Sequence, residues 1–115
     1  NLDFRELPKR YPIKSTDFWY LDPPYVIAGE RNDYYFYDFN KKDHEDFVDL
    51  CNQIHAENGM FMVSYDDRKE VIDAFSNYNI HKIPCRYAGQ LFNKNIKYEL
   101  VITNYKQAGI QHQLF

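Results

Sequence analysis

The sequence predicts an open α/β sheet in which most strands run parallel and the last strand is reversed. Short apolar runs typical of buried strands alternate with segments in which apolar residues recur at helical spacing. Strands joined through helices are expected to be parallel crossovers. The last two strands are separated only by a short loop, which favours antiparallel pairing. The length of 115 residues fits one small domain.

The first predicted strand is the aromatic run DFWYL at residues 17–21, which Pro23 and Pro24 terminate. The mixed, polar residues 1–16 before it are expected to be a connecting segment. The loop after it carries one glycine and a cluster of aromatic residues.

A helix is predicted to begin at Lys41, with Asn40 as its N-cap. Its apolar residues fall at helical spacing and are Phe47, Leu50, Cys51 and Ile54. Asn58 and Gly59 are expected to end it, glycine being the usual residue past a helix end.

A continuous apolar run predicts a buried strand at residues 60–64. The YDD segment is expected to cap a second helix over residues 68–77. The next strand contains Pro84, which favours a sheet edge or a bulge.

The clearest strand after the first is YELVITNY at residues 98–105. The polar residues 106–115 are expected to form a loose tail.

Composition excludes disorder, since 44% of residues are hydrophobic and 18% are aromatic. The net charge of −3 argues mildly against a free-standing nucleic-acid-binding protein. Acids are concentrated at residues 33–49 and bases at residues 82–106, which two solvated faces would also explain.

Cys51 and Cys85 form no CxxC motif and predict reduced thiols in a cytoplasmic protein. The four histidines are scattered, so no metal site is expected. No apolar run is long enough to span a membrane. Because the chain begins at Asn1 without methionine, we expect a fragment or a processed product.

The DPPY segment, residues 22–25, lies at the end of the first strand, where ligands bind in open α/β sheets. Asp22 offers a carboxylate, and Pro23 offers a carbonyl on a backbone that two prolines hold stiff. Tyr25 offers a flat ring. Two acceptors and an aromatic face suit a planar ring with an exocyclic amino group. The alternative is a strand-ending turn with a buried tyrosine.

This motif resembles that of amino-group methyltransferases that use S-adenosylmethionine. Further segments resemble the DNA adenine-N6 methyltransferases of the DNA adenine methylase family: DFWYLDPPY, the DH pair at 43–44, GMFMVSYDD and YELVITNY. The resemblance covers about residues 17–105.

The resemblance implies a partial Rossmann-like methyltransferase sheet, with S-adenosylmethionine as cofactor and double-stranded DNA as partner. Asp22 would contact both cofactor and target. The adenine would be flipped from the duplex. Asp22 and the Pro23 carbonyl would hold its amino group beside Pro24, and Tyr25 would stack on the base. The nitrogen would attack the methyl group directly, without a covalent enzyme intermediate.

The sequence departs from the family in two respects, one of which is that only 21 residues precede Asp22, where the family places its target-recognition segment. The family builds its cofactor site with a glycine-rich turn, and none of the four glycines here lies in a GxG. We therefore expect the C-terminal half of a methyltransferase, inactive or nearly so alone. Residues 17–21 would then form an open edge that pairs with the missing N-terminal half or with a second copy.

Further candidate substrate contacts are Tyr35 in the aromatic cluster, Ser64 after the second strand, and Lys94 and Lys97 before the last strand. The alternatives are core or lid packing for the aromatic cluster, helix capping by Asp66 or Asp67 for the region after the second strand, and a solvated loop for the two lysines. The Asp43–His44 pair is either an acid–base pair or a structural first turn of the helix.

Two other functions remain open at this point. One is a non-catalytic remnant or interaction module that binds a partner chain through its open edge. The other is methylation of an amino group in RNA or protein, because RNA guanine and protein glutamine methyltransferases carry close versions of DPPY.

Overall fold

The computed structural model describes residues 3–24, 39–85 and 97–106. In chain order these form a 3₁₀ helix Phe4–Glu6, α1 Leu7–Arg10, β1 Phe18–Leu21, α2 Lys41–Ala56, β2 Met60–Asp66, α3 Lys69–Ala74, β3 Asn79–Cys85 and β4 Lys97–Thr103. The predicted alternation of strands and helices, closed by two successive strands, is confirmed.

The strands of the described residues form one sheet in the order β1-β2-β4-β3. β1 and β2 pair parallel, whereas β4 is antiparallel to both β2 and β3. The first three strands therefore share one direction and the C-terminal strand is reversed, as the sequence predicts. β3 lies at an edge of this sheet, which accommodates the missing N–H of Pro84.

Helix α2 begins with a complete capping box. The Asn40 side chain accepts a hydrogen bond from the Asp43 N–H, and the Asp43 carboxylate accepts one from the Asn40 N–H, both at 2.9 Å. The predicted start at Lys41 is confirmed. One face of the helix is buried, with His44, Phe47, Leu50, Cys51 and Ile54.

The turn after α2 uses asparagine where the sequence favours glycine. Asn58 has a φ of 66°, the left-handed region that asparagine tolerates. Gly59 is needed for space instead, because a Cβ there would lie 3.0 Å from Ile54 Cγ2 and 3.2 Å from Ile13 Cγ2.

Helix α3 corrects one prediction. It begins only at Lys69, with Arg68 at the N-cap position and no side-chain cap. Asp66 and Asp67 therefore do not cap it. Asp66 pairs with Arg68 at 3.1 Å and Asp67 with Lys82 at 3.5 Å, so both carboxylates are engaged by basic side chains.

The core lies between one face of the sheet and helices α2 and α3. Its buried apolar side chains are Leu21, Phe47, Leu50, Cys51, Ile54, Phe61, Val63, Tyr65, Val71, Phe75, Leu100 and Ile102. Phe4 and Ile13 pack against it from the segment before β1. That segment is thus attached to the core, although its sequence is mostly polar.

None of the helices in the described ranges has the length and apolarity to cross a membrane.

Candidate active site at the end of the first strand

Asp22, Pro23 and Pro24 directly follow β1 at its carboxyl end. Leu21 and Pro23 are buried, whereas Asp22 and Pro24 are exposed. Because β1 and β2 are parallel, the carboxyl ends of both strands lie at one edge of the sheet. Ligands of open α/β sheets bind at this edge.

A pocket of about 420 Å³ lies beside these three residues. Its apolar lining consists of Phe4, Leu21, Pro23, Pro24, Phe39 and Phe47, and its charged lining of Asp3, Arg5, Asp22 and Asp43. This volume suits one small organic ligand. The carboxylates suit donors such as amino or hydroxyl groups, or a positive charge.

Three phenylalanines from separate parts of the chain form the aromatic side of the pocket. Phe4 lies 5.8 Å from Phe47 in an edge-to-face arrangement and 6.1 Å from Phe39. Phe39 and Phe47 are also edge-to-face, at 6.4 Å. Phe4 comes from the 3₁₀ helix, Phe39 from the approach to α2 and Phe47 from α2 itself. Their mutual packing forms an apolar, aromatic wall.

Charge at this site is organised around Arg5. Its guanidinium donates to Asp43 at 2.6 Å and to Asp3 at 3.0 Å. The hydrogen bond to Asp46 first, and then those to Asp43 and Asp3, raise the pKa of Arg5 above its ordinary value. The Arg5 backbone N–H, at 2.9 Å from the carboxylate, lowers the pKa of Asp3, so that acid is held ionised.

The other predicted substrate contacts lie elsewhere or outside the described residues. Ser64 is buried and donates to the Glu99 side chain. Its position in β2, between the core residues Val63 and Tyr65, directs it to the face of the sheet away from the core. Lys97 is exposed at the start of β4, which the antiparallel register places at the same end of the sheet as Asp22. Tyr25, Tyr35 and Lys94 lie outside the described residues.

The sequence reasoning missed Asp3, Phe4 and Arg5, which line the pocket although they lie in the predicted connecting segment. The apolar residues of this stretch, Phe4 with Leu2 and Leu7 on either side, were a weak local signal. Arg5 reaches partners 38 and 41 positions away along the chain, which no local pattern reveals.

Asp43 and His44 are structural in this fold. Asp43 completes the capping box, and His44 forms a buried hydrogen bond of 2.7 Å between its Nδ1 and the Tyr65 hydroxyl. Among the residues the structure describes, no group of His, Cys, Asp and Glu side chains is arranged to hold a metal ion.

Comparison with known proteins identifies the family to which this site belongs. A family model of D12 class N6 adenine-specific DNA methyltransferases matches residues 2–88. The chain belongs to this family. The match begins before Asp3 and extends beyond α3, so it includes every residue that lines the pocket.

A type II methyltransferase of Lactococcus lactis subsp. cremoris, M1.LlaDCHI, is 30% identical to the chain over 108 residues. The alignment covers 90% of this D12-class chain and 37% of the relative. The chain thus spans little more than a third of the length of the curated relative it matches.

Proposed function

We propose that this chain carries the amino-group-binding part of a DNA adenine-N6 methyltransferase that uses S-adenosylmethionine. The observation that carries the proposal is the position of Asp22, Pro23 and Pro24. They follow β1 directly and line a pocket with an aromatic wall, in a chain of the D12 class.

The chemistry follows from the hydrogen-bonding capacity of the motif. An adenine amino group has two hydrogens to donate, and the Asp22 carboxylate and the Pro23 carbonyl can each accept one. Both bonds increase the availability of the nitrogen lone pair. Tyr25 would stack on the base after the base has been flipped out of the duplex. Flipping costs about a few kcal/mol. Catalysis then rests on positioning and on polarisation of the amino group.

The pocket also suits part of the methyl donor. S-adenosylmethionine supplies a methyl group on a positively charged sulfur, and it carries a flat ring and hydroxyl groups. Asp22 would hold its cationic or donor groups, and Phe4 and Phe39 would contact its ring. The sequence holds no glycine-rich turn to complete such a site.

We infer that the rest of the cofactor site comes from another polypeptide segment that pairs with β1. β1 is an edge strand of the described sheet, and Phe18 and Tyr20 are 52% and 59% exposed on it. The Trp19 Nε1 is buried with no hydrogen-bond partner in the described structure. An open edge strand of this kind is a template for pairing with a further strand. The partner would be an N-terminal methyltransferase half or a second copy.

Contacts with DNA would be made at the same end of the sheet. Lys97, and Lys94 three residues before it in the sequence, would contact phosphates. Tyr35 would line the pocket for the flipped base. Ser64 would act through Glu99 rather than by direct contact, since its hydroxyl is already engaged.

The second candidate function is a non-catalytic interaction module, which the open β1 edge and the lack of a glycine-rich turn favour. Methylation of RNA or protein amino groups is the remaining alternative. Digestion of the methylated DNA, RNA or protein to its components would show which substrate carries the methyl group and so distinguish this alternative from DNA methylation.

Titration calorimetry with S-adenosylmethionine distinguishes the proposed methyltransferase from the non-catalytic interaction module. The chain is combined with an N-terminal portion of a D12-class enzyme that carries the glycine-rich turn, and sedimentation first establishes that the two associate. We expect the assembly to bind the cofactor and Asp22→Ala to weaken binding, while Asp49→Ala on the exposed face of α2 leaves it unchanged. An associated assembly that releases no binding heat would support the module.

A further inference from the structure

Arg5 connects three carboxylates through three different nitrogens. Its Nη1 contacts Asp3 at 3.0 Å, its Nη2 contacts Asp43 at 2.6 Å and its Nε contacts Asp46 at 2.7 Å. Asp3 precedes the 3₁₀ helix, whereas Asp43 and Asp46 lie in the first turns of α2. A single side chain therefore joins the segment before β1 to the helix after it.

The same guanidinium lies over the Phe4 ring, with 4.5 Å between Arg5 Cζ and the ring centroid. Phe4 is in turn packed against Phe39 and Phe47 in the pocket wall. The ion pairs and the ring contact thus hold Asp3 and Phe4 against α2. The side chain of Arg5 is 35% exposed, so this network lies at the mouth of the pocket.

Without the guanidinium, this arrangement would be unfavourable. Asp3, Asp43 and Asp46 converge on one point, and like charges at such short range repel. Lys42 neutralises only Asp46, at 2.9 Å. Asp3 and Asp43 would then separate, and the 3₁₀ helix would move away from α2.

We propose that Arg5 is a positioning residue of the pocket: by holding Asp3 and Phe4 against α2, it sets the distance between the aromatic wall and Asp22. The identity of the ligand in the pocket rests on the function proposed above. The proposal that Arg5 restrains residues 3–10 does not depend on that function.

Lysine cannot replace arginine in this role. The guanidinium is a planar fork with donors in three directions, and here each direction is used for a different carboxylate. A lysine ammonium is a single point on a flexible stem. Arg5→Lys keeps the positive charge but loses the planar arrangement of donors, so it separates the contribution of charge from that of donor geometry.

Hydrogen exchange measured by mass spectrometry tests the restraint on the chain itself. We expect Arg5→Lys and Arg5→Gln to raise amide exchange in residues 4–11 by about tenfold or more, with exchange in β2 and β4 unchanged. Arg10→Gln, an exposed charge on α1, serves as the matched control and should leave exchange as in the wild type. Unchanged exchange in the Arg5 variants, or an equal rise throughout the chain, would overturn the proposal.

A second measurement tests the consequence for binding in the cofactor-binding assembly. Arg5→Lys should raise the KM for S-adenosylmethionine by between about tenfold and a hundredfold, with a smaller change in kcat. If Asp22→Ala abolishes turnover while Arg5→Lys leaves the KM unchanged, the positioning role is wrong and the proposed function stands. If the wild-type assembly neither binds nor turns over, the proposed function fails, and hydrogen exchange alone decides the role of Arg5.

Discussion

At the scale of single residues, His44 and Tyr65 show how a sequence motif changes meaning in the fold. Beside Asp43, His44 resembles half of an acid–base pair. In the structure it lies on the buried face of α2, hydrogen-bonded to the Tyr65 hydroxyl from β2. Burial lowers the pKa of His44, although the nearby Glu45 and Glu70 act in the opposite direction. The imidazole is therefore a neutral part of the core.

The buried His44 predicts that acid destabilises the fold. Its folded-state pKa lies below the unfolded value of 6.5, so below pH 6.5 the unfolded chain binds a proton that the folded chain excludes. The free energy of unfolding should fall between pH 7 and pH 5. His44→Gln should flatten this fall in urea unfolding, although it lowers stability at pH 7.

His81→Gln, on the exposed surface of β3, is the control and should keep the wild-type pH dependence. An unchanged pH dependence in His44→Gln would show that other groups cause the acid sensitivity.

At the scale of elements, local signals specified the start of α2 well and its end less well. Asn40 was predictable because an N-cap interaction spans only three residues along the chain. The division of roles between Asn58 and Gly59 was not, because the need for glycine arises from the packed side chains of Ile54 and of Ile13, which is distant in sequence. The same holds for α3, where the acids that resemble caps pair with basic side chains instead.

In the turn after α2, two adjacent substitutions are expected to differ in their effect on the free energy of unfolding. Gly59→Ala places a Cβ 3.0 Å from Ile54 Cγ2, a branched methyl with little freedom, and should lower the free energy of unfolding by about 1–3 kcal/mol. Asn58→Gly removes a side chain from a left-handed conformation and should change it by less than about 0.5 kcal/mol. Thermal unfolding of both variants measures this, and equal losses would contradict it.

At the scale of the whole molecule, the sequence was sufficient to predict the strand directions and the position of Asp22, Pro23 and Pro24 at the end of β1. It was insufficient for the other wall of the pocket. Phe4 and Arg5 precede β1 and meet α2 only after the chain has folded around the strand. Such contacts join distant residues through tertiary geometry, so neither periodicity nor composition signals them.

At this scale, candidate site residues from different strands of the described sheet come together. Asp22 at the end of β1 and Lys97 at the start of β4 lie at the same end of the sheet, and the pocket wall stands beside Asp22. This is the arrangement that the proposed amino-group-binding site requires, with the exposed Lys97 at the same end of the sheet. The proposed cofactor-binding segment would pair with β1, which is an edge strand of the described sheet.

The most direct test of this account is the amount of N6-methyladenine in duplex DNA after incubation with S-adenosylmethionine and the associated assembly of this chain with an N-terminal D12-class portion. Mass spectrometry of the digested DNA gives the amount. We predict N6-methyladenine with the wild-type chain and with Asp49→Ala, and none with Asp22→Ala. Methylation that persists in Asp22→Ala, or its absence from a wild-type assembly that binds the cofactor and DNA, would contradict the account.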